Sequence, residues 1–287
     1  MKNRQVSLVL ATLGRDRELF AFLDSLRKQT YADFELIIID QNQDGKIDAV
    51  IAPFMRWFAV KHVKVDFTGN SRARDHGIAY AQGSIIAFPD DDCVYEEDVL
   101  DKVVAEFRRR DDLAILVAGS YDFSKTRFSI GVNSRSPRYF SRLRMMGVEF
   151  THFFNLAAID RRQFHLDHDF GIGSKYSGAE GFELLYRLLR AGYVAFYTPS
   201  IKIYHADKDN YKLGSARMSR YSTGVGAYIR KFTNQHDPFM FYYIFRKMLV
   251  APVLKMAVAL VLLSPKRLAY SFHNLIGIWR GFLVYEN

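Results

Sequence analysis

Cysteine is almost missing from this chain: Cys93 is the only one among 287 residues. That excludes an intrachain disulfide and a cysteine-ligated zinc cluster, and it predicts a protein that works in a reducing compartment, the cytoplasm. Acids are also in deficit, with 31 Asp and Glu against 40 Lys and Arg, a net charge of +9. Such an excess points to an acidic partner such as nucleic acid, anionic lipid or a phosphorylated small molecule. Long apolar runs are scarce. Val6 to Ala11 is followed closely by Arg15, Asp16 and Arg17, so it is too short for the core of a secretory leader and reads as a buried strand. Internal repeats and low-complexity segments are absent. What remains, 49% apolar and 25% charged residues, is a globular balance that excludes disorder and a polytopic membrane protein.

The first 120 residues alternate between β-rich runs and helical stretches, the pattern of a parallel sheet flanked by helices. After the strand over Val6–Ala11, the spacing of Leu19, Phe20, Phe22, Leu23 and Leu26 predicts a helix over Asp16–Gln29. Glu35–Asp40 is too continuously apolar for a half-exposed strand and is expected inside the sheet. A helix over Ile47–Val60, a strand over His62–Phe67, a helix over Ser71–Gln82 and a strand over Ser84–Phe88 follow. Pro89 breaks this last strand at its carboxyl end, the edge where open α/β sheets bind ligands. A helix over Glu97–Arg110 and a strand over Leu113–Gly119 come next, then a polar, basic surface loop over Asp122–Gly147. Strand character returns over Phe150–Ile159, a helix spans Gly178–Ala191, and a late strand over Ile201–Tyr204 ends at His205.

Asp90, Asp91 and Asp92 open a stretch to Asp101 that holds seven acids and no base. Adjacent carboxylates repel, so a fold keeps them where water screens them or a cation neutralises them. Glu96, Glu97 and Asp98 suit a helix N-terminus. Asp90 and Asp92 follow an apolar strand, and a hard divalent ion with oxygen ligands is their natural partner.

Four segments together resemble the family 2 glycosyltransferases of the GT-A fold. They are Val6–Thr12 with Arg15, Leu36–Asp40, Gly69–Gly77 with its Asn70-Ser71-Arg72-Ala73-Arg74 core, and Phe88–Asp92. The resemblance covers roughly residues 5–205. It implies a GT-A type α/β fold, a Rossmann-like and mostly parallel sheet flanked by helices, and sugar transfer from a nucleotide-sugar donor with Mn²⁺ or Mg²⁺. It places Thr12, Arg15, Asp40, Asn70, Arg74, Asp90 and Asp91 at the donor. Asp90–Asp92 match the family's DxD motif, with Asp92 and Asp90 on the metal, and His205 stands where many members carry a metal-ligating histidine. A diphosphate leaving group gains charge as the glycosidic bond breaks, which a divalent ion stabilises without proton transfer.

Ser177 to Leu188 resembles the acidic motif that supplies the general base of inverting members. The family carries a Glu-Asp pair there; here Gly181 follows Glu180, and Glu183 comes one turn later. Glu180 is the expected base and Glu183 the alternative, better suited to the helix dipole or an ion pair with Arg187.

From Phe239 onward six Lys and Arg face one acid, Glu286, in the most apolar part of the chain. Lys and Arg interrupt it well before the ~20 residues of a span. An interfacial segment meeting anionic lipid is one expectation; helices packed on the catalytic domain or on a second subunit are the other. The expected organisation is a catalytic domain over 1–210, with a nucleotide-sugar half to about 120 and an acceptor half beyond, and a helical, basic extension over 211–287. The implied reaction is inverting transfer to a saccharide or polyprenyl-linked saccharide in surface-polysaccharide assembly, on the inner face of the cell membrane. A catalytically degenerate homologue is one rival. A nucleotidyltransferase is another, although 12–16 is thin as a phosphate loop. Nucleic acid is not expected as a partner, because the basic residues gather in an apolar tail and the cleft is acidic.

Overall fold

A computed structural model describes residues 5–206 and 215–286. Met1 to Arg4 and the boundary expected at 210 lie outside these residues. The chain forms two compact units, one of residues 1–166 and 184–207, the other of 167–183 and 208–287.

The first unit is built on one sheet. Strands β1 (Val6–Thr12), β2 (Phe34–Asp40), β3 (Ala59–Lys64) and β4 (Ile85–Ala87) lie in the order β3-β2-β1-β4, all parallel. All seven residues of β2 are buried, as its unbroken apolar run requires. Helix α1 (Arg17–Arg27) starts on Asp16, whose carboxylate accepts from the Arg17 N–H, and buries Leu19, Phe22, Leu23 and Leu26. Helix α3 (Asn70–Ile78) lies against β1 and β2 at Gly77, where a Cβ would come within 2.4 Å of Val9 Cγ1.

The helix expected over Ile47–Val60 is much shorter. Only α2 (Asp48–Ile51) and a 3₁₀ turn over Ala52–Phe54 form. Pro53 ends the α-helical ladder, and Ala59 and Val60 pair instead with Glu35 and Leu36, so β3 begins three residues before the expected His62.

The rest of the sheet mixes directions. β5 (Cys93–Tyr95) follows the acidic triplet, α4 (Val99–Arg109) covers one face, and β6 (Leu113–Tyr121) runs parallel to β9 (Val194–His205). β8 (His152–Asn155) joins β4 and β6, antiparallel to both. The segment expected as a loop over Asp122–Gly147 contains β7 (Arg138–Phe140), which pairs with β9. The register of β9 on β6 slips between Thr198 and Lys202, around Pro199, which cannot donate to a ladder. Beyond the slip β9 continues to His205, so the late strand is far longer than Ile201–Tyr204.

The second unit opens with 167–183, where α5 (Glu180–Arg190) begins, and holds α6 (Ser215–Asn234), α7 (Phe239–Tyr243), α8 (Ala251–Val261) and α9 (Pro265–Val284), with a π-helical stretch over Ile244–Val250. α6 and α9 cross in close contact through glycines. A Cβ on Gly226 would stand 1.8 Å from the Ile278 carbonyl oxygen, and one on Gly281 would stand 1.9 Å from that of Thr223. No described helix is long and apolar enough to cross a membrane.

Candidate functional site

Parallel strands expose unpaired backbone and short loops at their carboxyl ends, so side chains there converge on one edge. Thr12 ends β1, Asp40 ends β2 directly beside it in the register, and Phe88-Pro89-Asp90 leaves β4 next to β1. The first unit therefore gathers Thr12, Arg15, Asp40, Asn70, Arg74, Asp90, Asp91, Asp92 and His205 along one edge of the sheet and the loops that leave it.

The three aspartates face different ways. Asp91 is buried, with Oδ2 accepting from Thr12 Oγ1 at 2.8 Å and Oδ1 from Arg15 Nη1 at 2.5 Å. Burial raises its carboxyl above the ordinary value, against the opposing pull of Arg15 and Thr12. Burial lowers the Arg15 guanidinium, but the Asp91 and Asp92 carboxylates outweigh it and raise the group overall. Arg15 also reaches Asp92 at 2.8 Å. Asp90 accepts from Arg74 Nη2 at 2.6 Å, and the other end of that guanidinium pairs with Glu149 at 2.6 Å. Arg74 is only 1% exposed. It is a buried cation between two carboxylates and not the surface arginine its neighbour Asp75 would suggest.

Asp40 is fully buried. Its Oδ1 accepts from the backbone N–H and the side-chain amide of Asn42, and Oδ2 lies 3.0 Å from His62 Nε2. Asn42 in turn accepts from the Gly14 N–H at 2.8 Å, tying the exit of β2 to that of β1. Gln41 accepts from the Gly69 N–H in front of α3, where Asn70 stands. None of Gln41, Asn42, His62 and Glu149 stands out in the sequence, where their only signal is being polar at positions that the fold buries or half-buries.

Asp90, Asp92 and His205 offer ligand atoms that all lie within 4.8 Å of one another. The imidazole stacks on Phe150, with ring centroids 5.0 Å apart, and its Nδ1 meets the Ala206 carbonyl at 2.7 Å. A carbonyl only accepts, so Nδ1 donates there, and Nε2 is the ring nitrogen turned towards Asp92. Nε2 is buried without a hydrogen bond, 3.2 Å from Asp92 Oδ1. An imidazole nitrogen and a carboxylate oxygen placed this way can both turn to one cation. Charge agrees: Asp90, Asp91, Asp92 and Glu149 against Arg15 and Arg74 leave a formal charge of −2. Two carboxylates and an imidazole fit a divalent ion, with the nitrogen favouring Mn²⁺ over Mg²⁺.

The sequence profile of Glycosyl transferase family 2 matches residues 7–165, more than half of the chain. The chain belongs to that family. A PGL/p-HBAD biosynthesis glycosyltransferase of Mycobacterium tuberculosis is 33% identical over 129 residues, which are 44% of this chain and 50% of the relative. The chain thus aligns with about half the length of this relative. An uncharacterized glycosyltransferase of Nostoc is 26% identical over 39% of this chain and 35% of its own. Among solved structures, a mannosyltransferase of Pyrobaculum calidifontis in complex with GDP-Man and Mn²⁺ superposes with a TM-score of 0.72 at 15% identity, covering 99% of this chain and 89% of that one. TarS of S. aureus in complex with UDP does so at 0.60 and 14% identity, covering 96% and 89%. These likenesses establish the GT-A fold of this family 2 member.

Glu180 and Glu183 open α5 and belong to the second unit. Ala179, immediately before Glu180, is left-handed at φ 67, a conformation that costs an alanine about 1 kcal/mol or more and is found where a turn must aim a side chain. Glu180 is half-buried. Glu183 is fully buried and bonded at 2.7 Å to Lys231, which also holds Asp167 at 2.7 Å. Burial lowers the Lys231 ammonium, but the two carboxylates outweigh it and raise the group overall.

Proposed function

We propose that this family 2 protein is an inverting, metal-dependent glycosyltransferase. It moves a sugar from a nucleotide-diphosphate sugar to a saccharide or polyprenyl-linked saccharide. The observation that carries the reading is the cluster of Asp90, Asp92 and His205 at the carboxyl edge of the parallel strands, beside Thr12, Arg15 and Asp40. The mannosyltransferase bound to GDP-Man and Mn²⁺ supports a nucleotide-sugar donor, and the PGL/p-HBAD biosynthesis glycosyltransferase supports glycosyl transfer. Residues 1–210 are read as the catalytic domain and 211–287 as its extension. The protein is assigned to the cytoplasmic side of the membrane.

A divalent ion on Asp92, Asp90 and His205 would stabilise the charge that develops on the departing diphosphate. The protein's own residues do the rest. Asp91, held by Thr12 and Arg15, fixes the DxD loop, and Arg74 fixes its first aspartate. Asp40 holds the β2 exit on the nucleoside side, and Asn70 faces the nucleotide from the start of α3. Glu180 accepts the acceptor hydroxyl's proton as the oxygen attacks the anomeric carbon opposite the leaving group. Glu183 is committed to Lys231 and serves as a structural anion.

The test is thermal stability with UDP-, GDP- and dTDP-sugars, with and without Mn²⁺, on the parent and Asp92→Ala. A shift that requires one nucleotide, the metal and Asp92 together supports a donor site, since a ligand of the native state stabilises it. No shift with any donor, in folded protein, sinks the reading. Glu180→Gln should keep the shift and lose about 10²-fold or more in transfer. If the parent binds donor and transfers nothing, the second reading, a degenerate homologue favoured by Gly181 at the usual aspartate position, takes its place.

A further inference from the structure

Exposed apolar side chains run along the helices of the second unit, and the longest unbroken run of them is at one turn. Val258, Leu260, Val261, Leu262 and Leu263, at the end of α8 and in the turn to α9, are 52%, 59%, 82%, 53% and 88% exposed. Leu263 takes the left-handed conformation at φ 46, and the chain reverses there into α9. An apolar tip on a short helical hairpin, open to water, asks for a cover.

Charge names the cover. From 238 to 285 the chain carries Arg246, Lys247, Lys255, Lys266, Arg267 and Arg280 and no acid at all; the first acid after Asp237 is Glu286, which is bonded to Lys175 at 3.0 Å. Lys255, Lys266 and Arg267, which flank the tip, are exposed. A second copy docked by the same face would bring cation against cation, an arrangement that self-complementary interfaces avoid. An anionic surface with an apolar interior matches both features.

We propose that the α8–α9 turn is an insertion tip that seats the protein on a bilayer rich in anionic phospholipid. Val261, Leu262 and Leu263 enter the boundary between headgroups and acyl chains, and Lys266 and Arg267 meet the phosphates. Lys255 lies six residues before Val261, the last residue of α8, about 9 Å along a helix at 1.5 Å per residue. That puts it at headgroup level when the tip is about 5–10 Å deep. Only the tip enters the bilayer, since no described helix is long and apolar enough to cross it. This narrows the expected peripheral contact of 239–287 to one turn, and it does not rest on the transfer reading.

The experiment is co-sedimentation of the full chain, without donor, with vesicles of phosphatidylcholine alone and of phosphatidylcholine and phosphatidylglycerol in a three-to-one mixture. Binding to the mixed vesicles should exceed binding to the neutral ones by about tenfold and weaken with salt. The double variant Val261→Ser with Leu263→Ser should bind mixed vesicles about tenfold more weakly, with its melting temperature unchanged because both side chains stand in solvent. Lys266→Glu with Arg267→Glu should abolish the preference for the anionic mixture. Failure to bind either vesicle overturns the proposal, and so does undiminished binding by the serine variant. A concentration-dependent dimer that the serine variant dissolves would assign the tip to a second copy instead. Vesicle binding with no donor shift would sink the transferase reading and leave this one standing.

Discussion

Nε2 of His205 stands 3.2 Å from Oδ1 of Asp92, although one residue ends β9 and the other precedes β5. The antiparallel pairing of the two strands sets Cys93 opposite His205 and so carries the imidazole to the residue just before the strand. A ligand set assembled this way needs both strands in register.

If Asp92 and His205 share a metal ion as proposed, removal of either should weaken its binding. Asp92→Ala and His205→Ala are each expected to lower Mn²⁺ affinity by about tenfold or more, read as the loss of the Mn²⁺-dependent rise in melting temperature. An undiminished rise in both variants would move the metal elsewhere.

Arg74 is a different kind of residue, a buried cation held between Asp90 and Glu149. Arg74→Met leaves those carboxylates without their partner, and the expected cost is about 3 kcal/mol in urea unfolding. The double variant Arg74→Met with Glu149→Gln should recover part of that loss, because it removes one stranded charge together with its partner.

His152 gives the fold a pH dependence. Burial lowers its imidazole from the ordinary 6.5 to about 4, against a weaker opposing hydrogen bond to the Met146 carbonyl. Between those values the unfolded chain binds a proton that the native state refuses, so stability rises with pH through the window and falls as pH drops. The histidine should account for ~2 kcal/mol of the stability lost between pH 7 and pH 5. The urea midpoint of His152→Leu should move less over the same interval. An equal shift in both proteins would assign the dependence to another group.

The crossing of α6 and α9 depends on missing side chains. Gly226→Ala and Gly281→Ala each drive a methyl into a backbone carbonyl of the other helix, and a loss of about 2 kcal/mol or more is expected from overpacking that only backbone movement can relieve. Gly192→Ala serves as the comparison, since no atom lies within 4 Å of its Cβ and any loss there comes from its φ of 94 alone.

Much of the fold was legible because burial leaves a local trace. The unbroken run of β2 marks an interior strand, and the spacing of Leu19, Phe20, Phe22, Leu23 and Leu26 marks a helix, in which all but the exposed Phe20 are buried. The misread helix over Ile47–Val60 shows the limit. Its apolar residues suit either state, and the choice fell to Pro53 and to the open edge of β2, which recruits Ala59 and Val60. β5 and β7 are three residues each and exist only as partners of β9. Sequences that short carry no periodicity to read.

The sequence by itself determined which side chains meet at the carboxyl edge of the parallel strands. Thr12, Asp40 and Asp90–Asp92 each follow a recognisable strand, and parallel strands deliver their carboxyl ends to a single edge. Only the tertiary structure decided which of these carboxylates are spoken for. Arg15 and Arg74 claim Asp91 and Asp90, Lys231 claims Glu183, and the pairing of β5 with β9 delivers His205 to Asp92. The reason is physical: a charge's partner is set by distance through space and by the exclusion of water, and neither is written in the spacing of residues along a chain.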